Sequence, residues 1–447
     1  MADIASIFKA YDVRGTVGEQ LTAQVSHDIG RALADILAID GSVAVGRDMR
    51  PDSEDLASAL IKGLRLQGRD VIDIGQVTSD MIYFAVGSLG LAGGAMITAS
   101  HNPGKDNGIK LCREEARPIG LESGLANIRD AVLGADFKAA ASNRGGLESR
   151  DLSEAWIHHV LSFIDTAKLK PMKLAVDAGN GMAGKIFPEL EPYVPWDITE
   201  MYFELDGTFP NHEANPLKFE TLADLIARIK TDGLDGGIAF DGDGDRAFLV
   251  DETGTPITGN VMNAMLSEYF LRLHPASSIL YDLRSSRVVP ETIEKNGGKA
   301  LRSKVGHANI KQLMREHDVP FGGEVSGHFY FRDNWYADSG LIGAVIGLYA
   351  AGLTGKKLSE LREHYTPYAT LEETNFTVAD TAAVFERLKK EFASCAIDEL
   401  DGVSVMFDDG SWFNVRASNT EPLVRLNAEA STPDLLDVLV KRVTSLI

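Results

Sequence analysis

The chain has 447 residues, 44% apolar and 24% charged, the balance of a soluble globular protein with core enough for three or four domains. Its 44 Lys and Arg stand against 65 Asp and Glu, a formal charge of −21, and a field of that sign repels nucleic acid and anionic membrane, so neither is expected as a partner. The same field repels phosphorylated metabolites, so a site for one must gather its cations locally.

Cys112 and Cys395 are the only cysteines, which rules out a disulfide framework or a cysteine metal site and fits a reducing compartment. No basic and then apolar stretch follows Met1, so no signal peptide is expected. The longest apolar run, Leu341 to Leu353, is short of the ~20 residues that span a bilayer. A cytoplasmic enzyme is the expectation.

Short apolar runs alternate with helix-period segments, the pattern of α/β architecture with parallel or mixed sheets. Tyr11-Asp12-Val13-Arg14-Gly15 reads as a polar turn whose arginine suits a surface salt bridge. Val43 to Asp48 is a strand ending in a charged loop, Ser53 to Leu66 a helix behind Pro51-Asp52, and Val71–Ile74 and Gly93–Ile97 two further strands. Thr98-Ala99-Ser100-His101-Asn102-Pro103 then turns sharply, either an ordinary Ser/Asn/Pro loop or one that holds a serine hydroxyl out of the core. Asn107-Gly108 suggests a hairpin turn into Ile109-Lys110-Leu111, with Lys110 facing the site or, as lysines usually do, solvent.

Asn143 to Gly146 reads as a linker. Leu174 to Gly181 and Ile279 to Ser286 each repeat the strand-then-loop design, and each unit carries a double glycine before a special loop: Gly93-Gly94, Gly236-Gly237 and Gly322-Gly323. This is a faint threefold repeat of one α/β domain whose loops could converge on one cleft. The tail from about Leu371 is different. It reads as a helix over Thr381–Phe392, strands at Val403–Phe407, Trp412–Arg416 and Leu423–Ala428, and a last helix from Asp434 to Leu446, a small α+β domain.

Asp241-Gly242-Asp243-Gly244-Asp245-Arg246 alternates carboxylates with glycines that let the backbone curl around a hard cation. It begins like a calcium EF-hand loop and Glu252 falls at the last ligand position, but Arg246 replaces the turn glycine and Ala247–Val250 is strand-like. The open coordination sphere suits Mg²⁺ bound together with a phosphoryl group. Gly323-Glu324-Val325-Ser326-Gly327-His328 packs a carboxylate, a hydroxyl and an imidazole between glycines, as a polyhydroxylated ligand requires, although a lone His328 is more often structural. Lys304-Val305-Gly306-His307 is a similar loop. Arg416-Ala417-Ser418-Asn419-Thr420 with Arg425 is either a phosphate clamp or a polar hairpin with paired arginines.

Together these four loops resemble the signature loops of the α-D-phosphohexomutases, in the family's order, and Arg113 to Ile119 resembles its bacterial phosphomannomutase branch. The resemblance implies three similar α/β domains with mixed sheets plus a smaller C-terminal α+β domain around a central cleft. The divisions expected are 1–146 for the serine loop, 147–252 for the metal loop, 253–367 for the sugar loop and 368–447 for phosphate binding. It implies that Ser100 is carried as phosphoserine, with Mg²⁺ held by Ser100's phosphate, Asp241, Asp243 and Asp245. Arg14, His101, Lys110 and Arg246 match positions lining the phosphoserine, and His307 and His328 positions near the sugar. Arg284 falls where many relatives have lysine. Glu324 and Ser326 match positions that hold the sugar's 3- and 4-hydroxyls, and Arg416, Ser418, Asn419, Thr420 and Arg425 those that clamp the phosphate.

The reaction so implied interconverts mannose 6-phosphate and mannose 1-phosphate, and the glucose pair, through a hexose 1,6-bisphosphate, with Lys110 or His328 as base. Rival readings are a phosphoglucosamine mutase, a phosphatase or phosphotransferase with an aspartyl nucleophile in the Asp241 loop, and a non-catalytic sugar-phosphate or cation-binding protein.

Overall fold

The computed structural model describes residues 3–418 and 423–447. The chain forms two compact units, one of residues up to 258 together with 326–359, the other of 259–325 together with 360 onward.

The first unit holds two mixed sheets. In the first, strands run in the order Val13–Thr16, Asp106–Arg113, Gly93–Ile97, Val43–Arg47, Val71–Gln76 and Leu147–Ser149. The middle strands pair in parallel, while Asp106–Arg113 runs antiparallel to both of its neighbours. Ala23–Ile36 and Ser53–Leu66 are amphipathic helices that bury Ile29, Leu33, Leu56 and Leu60 in this core, and Thr22 caps the former by accepting from the Val25 amide at 3.3 Å. The second sheet runs Pro256–Ile257, Ala247–Asp251, Gly236–Phe240, Met172–Asp177 and Trp196–Met201. Phe329–Phe331 and Ala337–Asp338 pair antiparallel and lead into the helix Gly340–Thr354. That helix is the apolar run of the sequence, buried from Gly340 to Ala351, and no single helix among the described residues is long and apolar enough to cross a membrane.

In the second unit Ser278–Asp282 pairs in parallel with Lys299–Ser303 and Phe321–Gly323. A separate antiparallel sheet runs Ala369–Thr377, Leu423–Ala430, Trp412–Ala417, Val403–Met406 and Ala396–Asp398, covered by the helices Thr381–Glu391 and Pro433–Thr444.

The repeat is visible in register. Gly93 lies opposite Val43, Gly236 opposite Leu174, and Gly322 opposite Leu280, each pair on neighbouring parallel strands. Several expectations need correction. Residues 13–16 form an edge strand rather than a turn. Asn107-Gly108 is no hairpin turn: both lie in the strand Asp106–Arg113 opposite Gly15 and Arg14, and the connection is the serine loop itself. Gly108 is required there by crowding, since a Cβ would sit 2.3 Å from the Val13 carbonyl oxygen and 2.7 Å from that of Thr98. Leu147–Ser149 extends the first sheet beyond the linker read at 143–146. The strand Ala369–Thr377 was not anticipated at all.

Candidate active site

Ser100 follows the buried strand Gly93–Ile97 and sits at φ 52°, a left-handed conformation that non-glycine residues seldom adopt and that clusters at functional sites. What holds it there is mainly Arg50. Its guanidinium donates to the carbonyls of Ser100 (2.9 Å), Asn102 (2.6 Å), Pro103 (2.8 Å) and Asp106 (2.8 Å). Asp48 pairs with it at 3.2 Å, and the Phe209 ring lies beneath it, 5.2 Å from ring centre to guanidinium carbon. Arg14 ties down the near side, donating to the Ala99 carbonyl (2.5 Å) and Asn102 Oδ1 (2.9 Å) while paired to Asp12. The salt bridge read for Arg14 therefore exists, but half-buried rather than at the surface, and the guanidinium's other end grips the serine loop.

The acidic loop follows the strand Gly236–Phe240 and comes directly against this serine. Ser100 Oγ donates to Asp241 Oδ2 at 2.8 Å. The approach is so close that a Cβ on Gly242 would lie 2.5 Å from the Ser100 carbonyl oxygen. Asp241, Asp243 and Asp245 are all buried, and one oxygen from each lies within 4.8 Å of the others. Lys110, which its residue type left to solvent and the family resemblance put beside the serine, reaches inward from its strand to Asp243 Oδ2 (2.6 Å) and Asp245 Oδ2 (2.5 Å). Ser79, at the start of the helix Ser79–Ser88, adds a bond to Asp243 at 2.5 Å. Arg246 pairs with Asp241 at 2.8 Å and donates to His101 Nδ1 at 2.5 Å. His328 Nε2 lies 3.8 Å from Asp245 Oδ1, and its Nδ1 is 3.1 Å from Ser326 Oγ. Glu252, the would-be calcium ligand, instead accepts from the Ser359 amide and hydroxyl.

The electrostatics follow from burial among unlike charges. Burial pushes the Asp241 carboxyl up, and Asp245 and Asp243 add to this against the pull of Arg246. Burial would raise Asp243 and Asp245 too, but Lys110 above all holds both below the usual carboxylate range. Burial likewise disfavours the Lys110 ammonium, yet the two carboxylates raise it well above its ordinary value. His101 is held neutral, lowered to about 2 by burial and by Arg246 and Arg14.

In the second unit, Arg284 pairs with Asp282 at 2.7 Å and lies 3.7 Å from Glu324, whose Oε1 accepts from the Gly306 amide at 3.2 Å. His307 opens the helix His307–Glu316 next to that amide. Arg416 and Arg425 are direct cross-strand partners, and both bond to Glu373. The Ser418 amide donates to the Leu423 carbonyl, while Asn419 and Thr420 fall outside the described residues. Sequence reasoning missed Arg50 and Glu373. The loop after Val43–Arg47 is legibly charged, but no residue type in it marks Arg50 as the one that reaches the serine loop.

Four family models match in chain order: phosphoglucomutase/phosphomannomutase α/β/α domain I over 5–139, domain II over 154–254, domain III over 258–368, and the C-terminal domain over 373–446. The chain is 41% identical over 98% of both chains to a protein named phosphohexose mutases from Xanthomonas campestris. It is 41% identical to a phosphomannomutase of Salmonella montevideo, over 95% of this chain and 94% of the other. A solved structure of a phosphoglucomutase/phosphomannomutase family protein from Burkholderia thailandensis superposes with a TM-score of 0.91 at 31% identity, over 100% of this chain and 97% of that one. With three α/β domains, a C-terminal domain and relatives named as mutases throughout, the chain belongs to the phosphoglucomutase/phosphomannomutase family of phosphotransferring isomerases.

Proposed function

We propose that this enzyme interconverts mannose 6-phosphate and mannose 1-phosphate, and glucose 6-phosphate and glucose 1-phosphate, by way of phosphoserine at Ser100 and a hexose 1,6-bisphosphate. The observation that carries the reading is the placement of Ser100: strained, buried, and bonded at 2.8 Å to the first of three clustered aspartates.

Those aspartates fit a hard divalent ion. Among the described residues no hydrogen-bond donor reaches the buried Oδ1 of Asp243 or of Asp245, an arrangement costly to keep unless a cation completes it. Asp241, Asp243, Asp245 and the phosphate on Ser100 would hold Mg²⁺, which when bound neutralises charge on the phosphoryl oxygens.

The remaining work belongs to side chains. The P–O bond to Ser100 Oγ breaks as one to the free sugar hydroxyl forms, and that hydroxyl's proton passes to a base. The bisphosphate turns end over end, and Ser100 takes back the other phosphate. Arg14, Arg246 and His101 hold the serine and its phosphate in line. Lys110 and His328 are the candidate bases; Lys110 can take a proton only after losing its own, since it is held as an ammonium by Asp243 and Asp245. Lys110→Met and His328→Gln distinguish them by which loses kcat. Glu324 and Ser326 read the 3- and 4-hydroxyls, while Arg284, His307, Arg416, Ser418, Asn419, Thr420 and Arg425 take the sugar and its distal phosphate.

Intact-protein mass spectrometry tests the reading. It should find one phosphate, on Ser100, removed by hexose phosphate and restored by glucose 1,6-bisphosphate, and Ser100→Ala should abolish both phosphate and turnover. A Ser100→Ala enzyme that still turns over would point to an aspartyl nucleophile. Glucose and mannose differ only at carbon 2, so both should react; a preference above about a thousandfold (roughly 4 kcal/mol) would refute dual specificity.

A further inference from the structure

Arg416 and Arg425 face each other directly across neighbouring strands, a placement in which like charges repel. Arg416 is buried while Arg425 is half-buried, so solvent screens the pair only from the Arg425 side. Glu373 offsets part of that charge. Its carboxylate bonds Arg416 Nη2, lies 3.3 Å from Arg425 Nη1, and sits 3.8 Å from Arg284 Nη1. Three guanidiniums thus share one carboxylate.

The backbone is shaped to deliver it. The pairing of Ala369–Thr377 with Leu423–Ala430 loses register between Leu371 and Thr374, a bulge with Glu373 inside it. Bulges re-aim side chains beside functional sites. Even so, one carboxylate does not satisfy the cluster, because Nε of both Arg416 and Arg425 is buried without an acceptor among the described residues. The cluster is built for more acceptor oxygens and more negative charge than Glu373 supplies.

We propose that Glu373 is a specificity-determining residue, the resident counter-anion of the phosphate clamp, which an incoming phosphate must displace. The inference rests on the clamp assignment made above for Arg416 and Arg425. Binding is then an exchange of anions. A monoanion gains nothing by replacing one carboxylate with another, whereas a phosphate dianion brings a second charge and further oxygens to the unfilled donors. Glu373 therefore sets a charge threshold for entry and keeps the arginines apart when no ligand is bound.

The test uses the full chain with Mg²⁺, Glu373→Gln and Arg425→Ala. In Glu373→Gln, KM for mannose 1-phosphate and the inhibition constant for inorganic phosphate should fall about tenfold, or about 1.4 kcal/mol. Glucuronate, a monoanion, should fail to inhibit wild type and should inhibit the variant. The ligand-free thermal midpoint should drop and be restored by inorganic phosphate. If Glu373→Gln leaves these constants unchanged or raises them while Arg425→Ala raises KM, the clamp stands and the counter-anion role is overturned. If Arg425→Ala does not alter KM, the clamp assignment and this inference fall together.

Discussion

Lys110 occupies the acidic cage, and its removal should do opposite things to stability and to metal affinity. Its Nζ lies 2.6 Å from Asp243 and 2.5 Å from Asp245, both carboxylates buried. Taking one partner from a buried ion pair costs about 3–5 kcal/mol, because the charge left behind has no solvent. Lys110→Met preserves the chain's length and apolar stem, so metal-free variant should lose roughly that much stability. A divalent ion reverses the sign, since it no longer meets the repulsion of an ammonium held on the Oδ2 atoms of the same two carboxylates. If a third of the penalty is relieved on binding, Mg²⁺ affinity rises about tenfold, or about 1.4 kcal/mol. Thermal melts of both proteins across a Mg²⁺ titration, with and without chelator, measure the two effects together. A Lys110→Met protein that melts like wild type in chelator, or that binds Mg²⁺ no more tightly, would refute the argument.

Arg50→Ala deletes the anchor of four loop carbonyls. It should lower kcat by about a hundredfold, the order that loss of nucleophile alignment costs, with KM little changed; added guanidinium should recover part of the rate. Asp80 is buried beneath the Ser339 hydroxyl (2.5 Å) and its carboxyl is pushed up by burial to about 7 from an ordinary 3.8. Because the folded state holds this proton more tightly, the stability Asp80 contributes is fully present below about pH 4 and is lost as pH rises to about 7, by at most about 4 kcal/mol. Asp80→Asn should flatten that decline in chemical denaturation across the window; an unchanged slope would show that Asp80 does not titrate there.

Local signals made much of the fold legible. The helix Ser53–Leu66 and the strand Gly93–Ile97 begin and end where periodicity and punctuation placed them, because both are decided by neighbours in sequence. Asn107-Gly108 misled for the same reason: a good turn dipeptide was overruled by the edge strand packed on Gly108. The acidic loop was readable because three alternating carboxylates make poor sense without a cation. Residue type alone left Lys110 open, since a lysine on a strand has two faces to choose from and only Asp243 and Asp245, over 130 positions away, decide between them; the family resemblance is what put it beside the serine. Arg50 bonds to main-chain carbonyls, which every residue possesses, so no pattern of residue types announces it. Glu373 was hidden by a strand that was itself missed, and its aim depends on a bulge.

The positive φ at Ser100 limits which side chains could replace it. Threonine offers the same alcohol, but a branched Cβ at that backbone angle crowds the carbonyl and is a genuine outlier. A Ser100→Thr chain would keep its reactive oxygen and lose the angle from which that oxygen approaches. Exchange between two hydroxyl amino acids, harmless in most loops, would here silence the enzyme.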